Sequence, residues 1–272
     1  MRILVLGATG NVGRALVEAA LAGGHAVRAV SRSGQGLPVG ADVRLGDLDD
    51  SSTLTSALDG VDAVFTLAGH AGMARTLADA KDRGVERVVL LSSSSAPSGN
   101  RNNAVARYHI ESEDTVRASG LGWTMLQPNA FMSNALRWRP QIIAGDMIRE
   151  PFGDVALSVV DPADIAAVAL LSLITRDHQG RSYRLSGPEA LTAADRAEIL
   201  GRELGRKLSV TVLPDEEARD GLAPEYADAF HEFYRDGLID ETTVHPTVTH
   251  LLGRPPAAFA DWVRTNRHLF TR

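Results

Sequence analysis

A chain of 272 residues, 44% hydrophobic and only 5% aromatic, can bury a substantial core and sits near the upper size of one compact domain with a small appended lobe. Its formal net charge of −6 argues against a phosphate-backbone partner, which needs a basic face. The absence of cysteine excludes disulfides, thiolate nucleophiles and cysteine-ligated metals, and suits a reducing compartment; the cytoplasm is the expected address. No apolar run approaches the ~20 residues of a spanning helix, and the apolar opening Ile3–Leu6 runs straight into glycines instead of a signal-peptide core.

The first half alternates short β-type runs with amphipathic helical patterns. Strands are predicted at Ile3–Leu6, Ala26–Val30, Val43–Leu45, Ala63–Thr66, Arg87–Leu91 and Trp123–Gln127, and helices at Val12–Ala22, Met73–Arg83 and Asn103–Ser119. Repeated βαβ units imply an α/β fold with a doubly wound, parallel, Rossmann-type sheet whose ligand edge lies at the carboxyl ends of the strands. After Gln127 the rhythm changes. A Pro-Asn turn leads to Phe131–Trp138 and an irregular stretch around Gly145 and Pro151, then a strand is predicted at Ala156–Val160. Asp161-Pro162 starts a helix, Ser182–Leu185 and Ser209–Leu213 read as strands, and Thr192–Leu204 as a helix. From Pro214 onward the pattern is helical, with Asp215-Glu216-Glu217 as an acidic first turn. Residues 1–130 with 156–185 are therefore expected to form the dinucleotide domain, and 131–155 with 186–272 a smaller, mostly helical substrate lobe over the ligand edge.

Gly7-Ala8-Thr9-Gly10-Asn11-Val12-Gly13 joins the first strand directly to the first helix. In that context glycines let backbone approach backbone and leave helix N–H groups for a pyrophosphate. The residue ending the second strand selects the cofactor, since a carboxylate there would accept hydrogen bonds from a free ribose 2′-hydroxyl. None occurs between Glu18 and Asp42; Ser31-Arg32-Ser33 follows the strand and Arg14 follows Gly13. A guanidinium and two hydroxyls suit a 2′-phosphate, which predicts NADP(H), the alternative being a solvated loop arginine at position 32. Asp47 and Leu48 would line the adenine pocket, with Asp47 alternatively capping a helix near Ser51. Leu67, Ala68 and Gly69 end on the same edge.

These residues resemble the NmrA-like branch of the atypical short-chain dehydrogenase/reductases, which contains NADPH-dependent quinone reductases and NADP-sensing regulators. The resemblance runs over nearly the whole chain, through the glycine loop, Arg32, Gly46-Asp47-Leu48, Leu126 to Asn134, Asp161 to Ala166 and Leu252 to Pro256. It implies that Pro128, Asn129 and Phe131 lie against the nicotinamide and that the C-terminal lobe forms the substrate cleft.

Active members of the wider superfamily use Tyr-x-x-x-Lys, in which an ammonium one helical turn away lowers the phenol pKa. Here Tyr108 is followed four residues later by Ser112, and the two lysines, Lys81 and Lys207, lie in other segments. His109 and Glu113 share a helix face, and a carboxylate beside the imidazole would favour its proton-donating form; a surface pair or a packing residue is the competing account. Tyr108 and Ser93, in the serine run Ser92–Ser95, complete the candidate catalytic set, against the alternatives that the tyrosine only packs and the serines only leave room for a ring. No HExxH, GxSxG or phosphate-loop motif occurs, and His245 and His250 lack a third partner for a metal. Two functions follow: an NADPH-dependent reductase of a quinone, enone or ketone, and a non-catalytic NADP(H) sensor acting through a protein partner. No nucleic acid or membrane partner is expected.

Overall fold

The computed structural model describes residues 1–271 and divides into two compact units. Unit 1 comprises Met1–Gly99, Arg107–Gln127 and Pro162–Tyr183, and unit 2 comprises Asn100–Ala106, Pro128–Asp161 and Arg184–Arg272.

Unit 1 is built on β1 (Arg2–Leu6), β2 (Ala26–Ser31), β3 (Asp42–Leu45), β4 (Ala63–Leu67), β5 (Arg87–Leu91) and β6 (Gly122–Pro128), with helices α1 (Asn11–Ala22), α2 (Met73–Asp82) and α3 (Ala104–Ala118). The six strands pair in parallel. Sheet order is β3-β2-β1-β4-β5-β6, and β8 (Arg181–Leu185) adds at the far edge. Succession reverses between β1 and β4, so the loops after those two strands open the crevice in which doubly wound sheets take their ligands. The central strands are apolar on both faces, as covered parallel strands must be: Leu4, Leu6, Val64, Val88 and Leu90 pack with Leu54, Leu77 and Met125 in one core. One departure from apolarity fastens an edge. Arg28, 7% exposed, donates from β2 to the Asp42 carboxylate (2.9 Å) and to the carbonyls of Ala57 and Asp59. Immediately before α3, Asn103 accepts from the amides of Val105 and Ala106 and so starts the helix. The helix α5 (Pro162–Ile174) begins at Pro162, as predicted, and packs on α1.

Unit 2 contains α4 (Arg139–Ala144), β7 (Met147–Pro151), β9 (Ser209–Leu213), α6 (Ala193–Leu204), α7 (Pro224–Tyr234), α8 (Thr247–Leu252) and α9 (Phe259–Asn266). Its core gathers Trp138, Ile142, Ile148, Val159, Leu200, Phe259 and Trp262. Thr192 caps α6 with a complete capping box: its hydroxyl accepts from the Asp195 amide and the Asp195 carboxylate accepts from the Thr192 amide.

Three expectations need correction. The predicted strand Ala156–Val160 is extended but not a ladder. Leu157 exchanges bonds with Leu191, the Ser158 amide donates to Glu241 and that of Val160 to Ala130, so its hydrogen bonds go to three different segments. Residues 156–161 consequently group with unit 2 and not with the sheet. Conversely, the stretch read as irregular contains β7, which pairs in parallel with β9 from Met147↔Ser209 to Pro151↔Leu213. Its inward residues are Ile148 and Glu150, and a buried carboxylate breaks the apolar alternation on which strand reading relies. Finally, the acidic run after Pro214 yields one short 3-10 turn, Glu217–Arg219; Arg149 of β7 pairs with Glu217 of that turn, and Arg235 pairs with Asp215 before it.

Removing the α6 cap by Thr192→Ala should lower stability by about 1 kcal/mol; urea unfolding of the two proteins measures it, and superimposable curves would show that the box holds nothing.

Candidate dinucleotide and substrate sites

The loop after β1 needs glycine at two positions for different reasons. Gly7 has φ +72°, in the left-handed region. At Gly13 the backbone is ordinary but space is not: a Cβ there would come within 2.2 Å of the Gly7 carbonyl oxygen. The Gly10 amide donates to that same oxygen (3.0 Å) and Gly10 accepts from the Arg14 amide (2.8 Å), closing a tight turn onto α1. A Cβ on Gly7 would also meet Leu67 at 2.5 Å, so the loops after β1 and β4 are in van der Waals contact at the switch point. Gly10 offers no side-chain cap, and no acidic residue stands in the first turn of α1. The helix start thus keeps its partial positive charge for an anion, and the cradle fits a pyrophosphate.

Around that loop the structure sorts the predicted contacts. Thr9, Gly10 and Asn11 are exposed, whereas Val12 is buried and can offer only backbone. Arg32 is exposed and makes no hydrogen bond or ion pair among the described residues. Arg14 is committed elsewhere, to Glu18 (3.1 Å) and the Gly36 carbonyl (2.7 Å). The Ser31 hydroxyl accepts from the Gly34 amide (2.8 Å) and that of Ser33 from the Gln35 amide (3.3 Å), which shape the loop carrying Arg32. Asp47 accepts from the Asp49 amide; the helix near Ser51 is capped not by Asp47 but by Asp50, which bonds the Ser52 amide. Leu48 packs on the sheet core.

The candidate catalytic helix face differs from its expectation. Glu113 does not reach His109. Its carboxylate, 3% exposed, accepts from Ser92 Oγ (2.6 Å), Gln127 Nε2 (2.8 Å) and Arg117 (2.7 Å), and so ties α3 to the ends of β5 and β6. His109 lies buried with Nδ1 unpartnered and its ring 4.0 Å from that of Tyr108. Burial pulls its pKa down to about 4, so at neutral pH the imidazole is uncharged. A proton-donating His109 poised by Glu113 is therefore not what the fold builds, because both oxygens of the carboxylate are engaged by three other donors. Ser112 accepts from the Gly69 amide (2.9 Å) and donates to the Tyr108 carbonyl (2.7 Å), and the Tyr108 ring stands against Gly69. Ser93 accepts from the amide and hydroxyl of Ser95.

In unit 2, Asn129 is buried, its side-chain amide donating to Ser158 Oγ (2.8 Å) and its backbone N–H to Leu185. Pro128 is buried and Phe131 half-buried. Ala130, between them, lines a cavity of about 370 Å³ whose wall also includes Arg137, Glu150, Phe152, Arg196, Phe230 and Tyr234. Sequence reading missed the three charged residues of this set. One signal was present: Arg196 falls in register with Ala193, Ala197 and Leu200 on the buried stripe of α6. Among the described residues no group of histidines and carboxylates could hold a metal, and no helix is long and apolar enough to cross a membrane.

Fold order and glycine cradle define a Rossmann-type dinucleotide-binding protein. Residues 7–175 match the family model described as NAD(P)H-binding, and the chain belongs to that family. It is 39% identical to the (4-alkanoyl-5-oxo-2,5-dihydrofuran-3-yl)methyl phosphate reductase of Streptomyces griseus, over 98% of this chain and 99% of that one. It is 31% identical to the NAD(P)H azoreductase of Xenophilus azovorans over 98% and 99%. Among solved structures, an NADPH-dependent quinone oxidoreductase from Escherichia coli superposes with a TM-score of 0.78 at 26% identity, covering all of both chains.

The buried His109 gives a pH prediction. Its unfolded pKa is near 6.5 and its folded one about 4, so between those values the unfolded chain takes a proton that the native site refuses. Stability from this residue is complete above pH 6.5 and falls as the pH drops, by about 2 kcal/mol between pH 7 and 5. Denaturant unfolding at both pH values should show that loss reduced in His109→Gln; an identical loss in the variant would mean that His109 titrates normally.

Proposed function

We propose that the protein is an NADPH-dependent reductase that delivers hydride to a small-molecule quinone, enone or ketone from the cytoplasmic NADPH pool. The observation that carries this is the cavity that begins at Ala130, inside the Pro128–Phe131 segment assigned to the nicotinamide by family resemblance. The activities in the names of the relatives, on a furanone phosphate, an azo compound and a quinone, support a reductase of small molecules.

In this reading the amides of the Gly7–Gly13 loop and the start of α1 hold the pyrophosphate, and Arg32, with the Ser33 hydroxyl beside it, holds the 2′-phosphate. Gly69, Leu67 and Ala68 edge the crevice. When bound, the reduced nicotinamide supplies the hydride. The chain contributes binding, orientation and exclusion of water, which are the protein's share in cofactor chemistry. A quinone suits the site best, because its reduced oxygens take protons from solvent. The residue four after Tyr108 is Ser112, whose hydroxyl is held by Gly69 and by the Tyr108 carbonyl, and His109 is neutral. In this reading no lysine is thus assigned one helical turn after Tyr108 to lower the phenol pKa.

NADPH oxidation should accelerate well above the uncatalysed rate with at least one member of a panel of quinones, enones and ketones; a flat response over the whole panel would remove the reductase. Arg32→Ala should weaken NADPH binding tenfold or more and leave NADH binding unchanged, as loss of a charge-assisted contact of about 1.5–3 kcal/mol requires. An unaltered ratio of the two dissociation constants would show Arg32 to be a bystander.

A further inference from the structure

Arg196 presents a problem that the fold of unit 2 does not solve by itself. It projects from the buried face of α6, is only 4% exposed, and lies with its guanidinium carbon 5.3 Å from the centre of the Trp138 ring. Its Nε donates to the Thr192 carbonyl at 3.3 Å. Among the described residues its two Nη groups have no acceptor, and no carboxylate lies within salt-bridge distance. Glu150 lies near enough to act on it electrostatically but makes no hydrogen bond to it; a buried guanidinium without a directly bonded counter-ion is costly, and such a group normally acquires a partner.

The cavity supplies the place for one. Glu150, 8% exposed, is the carboxylate of its inner wall, and it is already engaged by Trp138 Nε1 (2.7 Å) and by Arg137 (3.5 Å). One inner carboxylate therefore faces two guanidiniums, Arg137 and Arg196, with Asp220 on the exposed part of the lining. Tyr234 lines the same space with its hydroxyl unpartnered among the described residues, and burial pushes its pKa up, so it stays protonated and can donate. Apart from Asn134 the remaining wall is apolar and includes Phe152, Leu157, Leu222 and Phe230. Phe152 is held at φ +53°, the left-handed region that a phenylalanine rarely adopts, with its ring 5.3 Å from that of Tyr234.

Donors at one part of the lining and apolar surface over the rest describe a ligand with a charged head and a hydrocarbon body. We propose that the cavity binds its acceptor through an anionic oxygen group, a phosphate monoester or a carboxylate, which Arg196 and Arg137 hold while the apolar part lies along Phe152, Leu157, Leu222 and Phe230. This deepens the reductase reading and rests on it for what becomes of the bound molecule; the anion site itself stands on the geometry of unit 2.

The test is calorimetric titration of the NADP⁺-saturated protein, whose dinucleotide phosphate sites are filled, with octyl phosphate, octanoate and 1-octanol. At least one of the two anions should bind tenfold or more tightly than the alcohol, and which one does so identifies the head group. Arg196→Gln should bring that anion to the affinity of the alcohol and leave NADP⁺ affinity within twofold. Arg137→Gln, at an exposed position, should weaken the anion about threefold. Equal affinities for all three probes, no binding of any, or undiminished anion binding in folded Arg196→Gln would each overturn the proposal. Should Arg196→Gln not fold, the wild-type comparison and Arg137→Gln decide. Anion binding in a protein that turns over none of the acceptor panel would remove the reductase and leave the anion site; turnover indifferent to a charged head would do the reverse.

Discussion

The approach of Gly13 to the carbonyl of Gly7 is the constraint on which unit 1 depends. With any side chain at position 13, that contact would be well inside van der Waals distance, and α1 would have to leave β1 along a different line. The direction of α1 in turn decides its packing on α5 and fixes where the helix amides point. The same loop touches Leu67, so the geometry at the end of β1 is coupled to that at the end of β4, across the point where the strand order reverses. A ligand edge built this way needs little side-chain chemistry of its own. Among the described residues, Arg32 in the loop after β2 is exposed and forms no hydrogen bond or ion pair.

Unit 2 follows a different logic, in which charge is buried. Trp138 stands between Glu150, which accepts from its indole, and Arg196, which lies over its ring. Apolar contacts surround this assembly, with Ile142, Ile148, Leu200 and Phe259 in the same core. Groups of this kind are costly to bury and contribute little net stability compared with well-packed hydrocarbon. Their presence beside a cavity is therefore more informative about binding than about folding.

The helix face that carries Tyr108, His109 and Glu113 shows how one carboxylate can serve structure where sequence spacing suggests chemistry. Two residues four apart on a helix are close enough to interact, but closeness is a permission and not an outcome. Ser92, Gln127 and Arg117 all reach Glu113, and their three hydrogen bonds engage both of its oxygens. His109, left without it, is governed by burial alone.

Local patterning by itself determined the sheet, its crossovers, the glycine loop and the carboxylate-free end of β2, because each is set by near neighbours: alternation along a strand, a turn that tolerates no side chain, the residue that follows a strand. It also determined the start of α5 and the capped helix at Thr192. Patterning failed where a segment's partners are distant in the chain. Ala156–Val160 looks like a strand but spreads its hydrogen bonds over Ala130, Leu191 and Glu241, while Met147–Pro151 hides a strand because Glu150 points inward. Only the tertiary structure decided that Glu113 ignores His109 and that Arg137, Glu150, Arg196 and Tyr234, drawn from four separate segments, line one cavity. Which donors reach a carboxylate, and which charges share a low-dielectric space, are properties of assembled distances that no sequence spacing carries.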